Sequence, residues 1–164
     1  MKLEFTPIGL IHSPHRQAEG TPIQSRWAAG SEGTVDLFPE FAPGLRDLDG
    51  FERIWLLCWL DRTRPARLEV VPYLDTEKRG IFATRSPSRP NPIGLSCVRL
   101  LAVEGARLWV ADLDVLDGTP LLDIKPYVPE FDVFTAQRVG WYAGARGART
   151  ADSRFAKGEE NQST

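Results

Sequence analysis

Apolar residues recur along this chain in short runs broken by glycine and proline, a rhythm of strands rather than helices. Leu3 to Ile11 is rich in β-formers and stops at His12-Ser13-Pro14, which reads as a strand running into a loop. His15 to Ala29 is polar and irregular, and a mobile connection is expected there. Gly33 to Phe38 suits a short strand. Phe41 to Leu48 makes a brief helix at best, stopped by Asp49-Gly50. Ile54 to Leu60 contains no polar break. It is too short and too aromatic for a helix, and reads as a strand buried on both faces.

Leu68 to Tyr73 is a further strand whose pairing Pro72 limits. Ile93 to Val103 and Arg107 to Val115 flank Glu104-Gly105, a spacing that suits a tight hairpin. In the second arm the alternation places Trp109, Ala111, Leu113 and Val115 on one face. Leu108, Val110, Asp112 and Asp114 fall on the other. Leu121 to Ile124 is one more short strand. Past Val139 the chain turns Gly- and Arg-rich, and from Asp152 it is nearly all polar, so disorder is expected over 152–164. Several short strands separated by turn signals favour a barrel or a sandwich over an alternating α/β fold.

Composition narrows the class. The 164 residues suffice for one domain with a core, and 42% hydrophobic with 26% charged residues is the balance of a soluble protein. Thirteen prolines and fourteen glycines argue against a helical bundle. Cys58 and Cys97 sit in apolar runs and read as reduced, buried thiols rather than a disulfide. The polar start is unlike a signal peptide and the longest apolar run is too short to span a bilayer, which together suggest a cytoplasmic protein with no membrane partner. Net charge is −2, but Arg62 to Arg99 holds eight basic and three acidic residues, leaving −7 on the rest. Such a stretch is either a phosphate-facing surface or a solvated loop region with ion pairs, and charge alone favours the second.

Two segments carry candidate chemistry. In Gly80 to Ser96, three prolines within six residues make a rigid loop that presents Arg85 and Arg89. A preorganised guanidinium pair suits phosphate or carboxylate; equally, the arginines can bond nearby backbone carbonyls. In Leu113 to Pro129, Asp117-Gly118 permits a turn with positive φ beside Asp123, Lys125 and Tyr127. Asp117 either serves a ligand or caps its own turn. The two histidines, His12 and His15, have no metal-ligand spacing around them, so no metal is expected. There is no Gly-rich cofactor cradle and no Gly-x-Ser-x-Gly elbow.

The phrases Ala83-Thr84-Arg85-Ser86, Arg89-Pro90-Asn91-Pro92-Ile93-Gly94, Asp117-Gly118-Thr119-Pro120 and Asp123-Ile124-Lys125-Pro126-Tyr127 resemble the signatures of the TrmO/YaeB/TsaA-like methyltransferases. Ile8 to Pro14 and Gly50-Phe51 leading into Ile54-Trp55 fit as well, so the resemblance covers about residues 5 to 132. It implies an all-β dominated fold, a compact β-barrel with short helices over 1–140 and a flexible C-terminal tail over 141–164. It also implies a homodimer, S-adenosylmethionine as cofactor, and methylation of N6 on threonylcarbamoyl-modified adenosine 3′ of certain tRNA anticodons. Carried to matching positions, the cofactor contacts are Pro22, Ile23, Gln24, Asp61, Arg62, Arg85, Leu95, Leu116, Asp117, Gly118 and Thr119.

Ile23 stands where well-known members have arginine, and Asp61-Arg62 where they have His-Gln. The long extension of larger members is also absent. These departures leave the cofactor reading intact and open the acceptor, to a small molecule or another RNA. A non-catalytic S-adenosylmethionine-binding dimer is a further alternative. For N6 transfer, Asp61 and Tyr127 are the candidate proton acceptors, with Lys125 as a charge partner. Arg64, Arg67, Arg89 and Lys125 are the candidates for RNA contact. Trp55 and Trp59 read as core rather than base-stacking platforms.

Overall fold

In the computed structural model, which describes residues 2–158, six strands close into an antiparallel barrel. They are β1 (Gly9–His12), β2 (Gly33–Leu37), β3 (Arg53–Trp59), β6 (Ile93–Glu104), β7 (Arg107–Ala111) and β8 (Thr119–Pro126), in the order β1-β2-β7-β6-β3-β8. β4 (Glu69–Val70) and β5 (Arg79–Gly80) form a separate two-stranded ribbon. The helices are short: one turn of α1 (Pro129–Asp132) and a few 3-10 turns such as Pro39–Leu45. Closure removes exposed sheet edges and gives every barrel strand one inward face.

That geometry corrects the reading of β3. Ile54, Leu56 and Cys58 are fully buried in the barrel, while Trp55, Leu57 and Trp59 stand half-buried on its outside. A continuous apolar run thus serves one core face and one outer face, and the tryptophans are not core. Trp55 instead packs against Tyr127, with ring centroids 5.8 Å apart. Inside, the β3 residues meet Ile11, Val35, Val98, Leu108, Val110 and Leu121, all shielded from water.

The β6–β7 hairpin turns at Gly105-Ala106, one residue later than the sequence suggests, since Glu104 pairs with Arg107. Gly105 alone has positive φ (62°), as a II′ turn requires. β7 ends at Ala111 because Asp112 adopts φ 71°, a left-handed conformation that Asp tolerates. The kink breaks the alternation, so Leu113 and Val115 re-enter the core beside Leu108 and Val110. Asp112 itself is buried and held by Arg53 (3.1 Å) and Arg99 (3.2 Å). Cys58 and Cys97 are free thiols on adjacent strands that face opposite ways. Burial pushes Cys58 up to about 12.

The C-terminal segment departs from its composition. Phe155 is buried against Val70, Ile81 and Tyr73, a second small core under the β4–β5 ribbon. Around it the backbone pairs with two barrel-mouth loops. Ala151 donates to the Thr21 carbonyl (2.7 Å), Ile23 to Arg149 (3.0 Å), Arg64 to Phe155 (3.0 Å) and Lys157 to Arg62 (3.2 Å). The polar stretch 152–158 is therefore anchored, and the connection before β2 is tied down rather than mobile. Residues 159–164 of the expected disorder lie outside the described residues. Among the described residues no helix is long and apolar enough to cross a membrane.

Candidate functional site at one mouth of the barrel

Strand direction decides which loops meet. β1, β3 and β7 end, and β2, β6 and β8 begin, at the same mouth. Asp61-Arg62 follow β3, Leu95 lies in the first turn-ward residues of β6, and Leu116 to Thr119 lead into β8, so these candidate contacts gather at that mouth. The two stiff loops around Arg85 and Asp117 are linked there through Gln24, Ser25 and Asp114.

Gly118, with φ 76°, makes the turn of the Asp117 loop. The loop is fastened on both sides. Towards β1, the Asp117 amide donates to the His15 carbonyl and the Gly118 amide to the Ile11 carbonyl, both at 2.8 Å. The Asp117 carboxylate accepts from the Ser13 amide (3.2 Å), faces His12 Nδ1 (3.3 Å) and pairs with Arg16. Partial burial raises its pKa, but the Ser13 amide, Arg16 and His12 outweigh that and hold it below the usual carboxylate range. The side chain thus ties neighbouring loops together rather than capping its own turn. Towards β3, Arg62 Nη2 donates to the Asp117 carbonyl (2.7 Å) and the Thr119 hydroxyl (3.3 Å), and that hydroxyl donates to the Leu116 carbonyl (2.6 Å).

The proline-braced loop separates its two arginines. Arg89 Nη1 turns inward and donates to the carbonyls of Ile81 (3.1 Å), Thr84 (2.8 Å) and Ser86 (3.4 Å). It holds the loop's own shape, not the phosphate-facing position expected of it. Arg85 stays exposed and reaches the early loop, where Nη1 donates to Gln24 Oε1 at 2.5 Å. Pro22 and Ile23 are held against the C-terminal segment, Pro22 bridging to Thr150.

Asp114 was placed by alternation on a strand face with no role. Its Oδ1 accepts from Ser96 Oγ at 2.5 Å, and the nearby Ser25 backbone favours its ionised form. Desolvation pushes its pKa up to about 6 despite those bonds and the positive field of Arg85. Nothing in the sequence marked Ser25, Ser96 or Trp141, whose indole donates to the Ala83 carbonyl (2.8 Å); only adjacency to Gln24 and Leu95 pointed at the two serines.

The candidate proton acceptors do not meet. Asp61 is exposed beyond the C-terminal end of β3, whereas the Tyr127 amide donates to the Arg53 carbonyl at its start. Seven strand residues at about 3.3 Å each separate them by roughly 20 Å within one chain. Lys125 pairs with Asp123 (2.8 Å) opposite Trp55, away from the mouth. Arg64 and Arg67 are exposed beside it, Arg64 with Nε on the Ala156 carbonyl (3.0 Å). Leu95 points outward and is 51% exposed next to Leu57. A shallow cavity of about 480 Å³ lies on the far side of Asp117, lined by His12, Arg16 and Glu32, and includes none of Gln24, Arg62 or Arg85. Among the described residues no cluster of three His, Cys, Asp or Glu side chains is placed to hold a metal.

Residues 10–133 match the family described as tRNA-methyltransferase O N-terminal domain. An S-adenosyl-L-methionine-binding protein of Archaeoglobus fulgidus is 48% identical over 127 residues, covering 77% of this chain and 90% of the relative. The tRNA (adenine(37)-N6)-methyltransferase of Escherichia coli is 36% identical over 141 residues, covering 77% of this chain and 58% of that enzyme. The crystal structure of TrmO from Pseudomonas aeruginosa superposes with a TM-score of 0.72 at 38% identity, covering 85% of this chain and 62% of that one. The chain thus spans about three-fifths of the length of the last two. With the same barrel and a match across most of its length, this chain belongs to the tRNA-methyltransferase O family.

Proposed function

We propose that this chain is an S-adenosylmethionine-dependent methyltransferase that acts on N6 of threonylcarbamoyl-modified adenosine beside a tRNA anticodon, as a cytoplasmic homodimer. The observation that carries the reading is the convergence of Gln24, Arg62, Arg85 and the 116–119 turn at one barrel mouth. These residues fit the cofactor's chemistry. Arg85 offers an exposed guanidinium to a carboxylate, and the Arg62-fastened turn offers fixed backbone groups and an apolar Leu116 to a nucleoside. When bound, S-adenosylmethionine supplies an activated methyl group on sulfur. The protein's own task is to hold acceptor and donor in line at about 3–3.5 Å and to accept a proton.

Exposed Arg64 and Arg67 beside the mouth suit RNA phosphates. The barrel domain, 1–140, carries the mouth, and residues 141–158 of the tail brace it. Dimerisation is supported by the outer face of β3 and β6, where Ile93 (36% exposed) and Leu95 lie beside Trp55, Leu57 and Trp59. Within one chain Asp61 and Tyr127 stand far apart. The same separation favours a second reading, methylation of a different acceptor that needs no such base.

Nucleoside mass spectrometry of tRNA incubated with protein and cofactor tests the acceptor. N6-methylated threonylcarbamoyladenosine is expected, and methyl transfer only to another RNA or small molecule would select the second reading. Analytical ultracentrifugation of wild type and Leu95→Asp tests the assembly. A dimer that falls to monomer in the variant is expected, and a monomeric wild type would remove it.

A further inference from the structure

Two aspartates two residues apart past the end of β7 meet different fates. Asp112 is buried and neutralised by Arg53 and Arg99. Asp114 is half-buried, with its carboxyl partly desolvated, yet among the described residues it takes part in no ion pair. Its hydrogen-bond partner, the Ser96 hydroxyl, orients a negative charge without cancelling it. The cation whose field reaches it, Arg85, donates instead to Gln24 Oε1.

An unneutralised anion in a desolvated place costs stability and attracts a cation. This one sits where the early loop, the start of β6 and the 116–119 turn converge. It is held by Ser96 of β6, against which the Ser25–Trp27 turn of the early loop packs, and stands three residues before Asp117.

We propose that Asp114 is the anionic group that recognises the positive sulfonium of the methyl donor and thereby distinguishes the donor from its neutral thioether product. The inference rests on the cofactor site proposed above. It gives Asp114 a specificity role, since product release depends on the site losing its hold once the sulfur is no longer charged.

Other groups around Asp114 set the pH response. Ser25 and Ser96 do not titrate. Arg85 is the nearby cation. The Cys58 thiol, which feels both Asp114 and Asp61, is held neutral by burial at about 12, and Asp61 stands exposed at the mouth. His12 stands on the Asp117 carboxylate and His15 Nε2 on the Leu113 carbonyl (2.9 Å), one residue from Asp114; both remain in Asp114→Asn, so the part of the pH trend that this variant abolishes belongs to Asp114, and through it preference for donor over product rises as pH climbs through about 6.

The test is calorimetric titration of the full chain with S-adenosylmethionine and with S-adenosylhomocysteine, at about pH 5 and about pH 7.5, for wild type, Asp114→Asn and Arg85→Ala. In wild type the donor-over-product ratio should grow about tenfold between the two pH values. In Asp114→Asn the ratio should be flat with pH and about tenfold lower at the higher pH, with product affinity within about twofold of wild type. Equal weakening of both ligands, or an unchanged ratio in the variant and no pH trend in wild type, overturns the inference. If Arg85→Ala weakens both ligands while Asp114→Asn keeps the wild-type ratio, the cofactor site stands and only this inference fails. If neither variant changes either ligand, the site assignment fails with it.

Discussion

Arg62 and Asp117, fifty-five residues apart in sequence, are joined by a 2.7 Å bond from the guanidinium to the backbone carbonyl, and that bond fixes the turn on which the proposed cofactor pocket is built. The contact needs no acidic side chain, because the Asp117 carboxylate is already engaged with His12, Ser13 and Arg16. Arg62 thus acts as a structural fastening of the turn.

Arg62→Ala should therefore weaken S-adenosylmethionine binding more than folding. A hydrogen bond from a charged donor contributes about 1.5–3 kcal/mol, or roughly a 10- to 100-fold loss of affinity if the whole effect falls on the turn. Calorimetric titration beside a thermal melt separates the two effects. A large drop in melting temperature with affinity unchanged would relocate Arg62 from the site to the scaffold.

Removing the Phe155 ring should loosen the C-terminal brace. Phe155→Ala empties the small core shared with Val70, Ile81 and Tyr73, a change that costs about 3 kcal/mol or more. The loss should be local, because that core is separate from the barrel interior. Hydrogen exchange should quicken at Ile23, Arg64, Ala151 and Lys157, whose amides pair across the brace, while β3 and β6 amides keep their protection.

Local pattern carried the barrel further than it carried the site. Every strand position except β5 is visible because short apolar runs and turn residues announce themselves, and Gly118 with its positive φ follows from Asp117-Gly118. What a window of residues cannot contain is closure. Trp55 and Trp59 looked like core until the barrel gave β3 an outside. Leu113 and Val115 returned to the interior only through the left-handed Asp112. The proline-rich loop left two uses for its arginines, and the fold assigned one to each: Arg85 reaches another segment, while Arg89 holds its own loop's carbonyls. Phe155, alone in a polar tail, was hidden by its neighbours' composition.

Asp112→Asn should destabilise the barrel without touching the mouth. Asparagine accepts the positive φ, so the backbone is spared and the test isolates charge. Arg53 and Arg99 lose the carboxylate they share, but both are partly exposed, so solvent recovers some of the loss and about 1–3 kcal/mol is expected. Chemical denaturation measures it. S-adenosylmethionine affinity should stay at the wild-type level.

Asp114→Asn should do the opposite and stabilise the free protein near neutral pH. Its carboxyl titrates near 6 when folded against 3.8 in the unfolded chain, so between those values the native state holds a proton that the unfolded state has released. Stability from that proton is fully present below 3.8 and is lost as pH rises through about 6. Above 6 the native protein carries a charge the site disfavours, and an amide, which keeps an oxygen for the Ser96 hydroxyl, relieves it. The melting temperature of the variant should exceed wild type at about pH 7.5 and converge with it at about pH 4. Asp36, Asp117 and Asp152 act in the other direction. Partners hold their carboxyls below 3.8, so the stability they add is present above that value and fades as pH falls through their lower folded values, in both proteins alike. The difference between the two melting curves thus isolates Asp114. A variant less stable than wild type at about pH 7.5 would mean that the ionised carboxylate is a structural asset rather than a charge kept for a ligand.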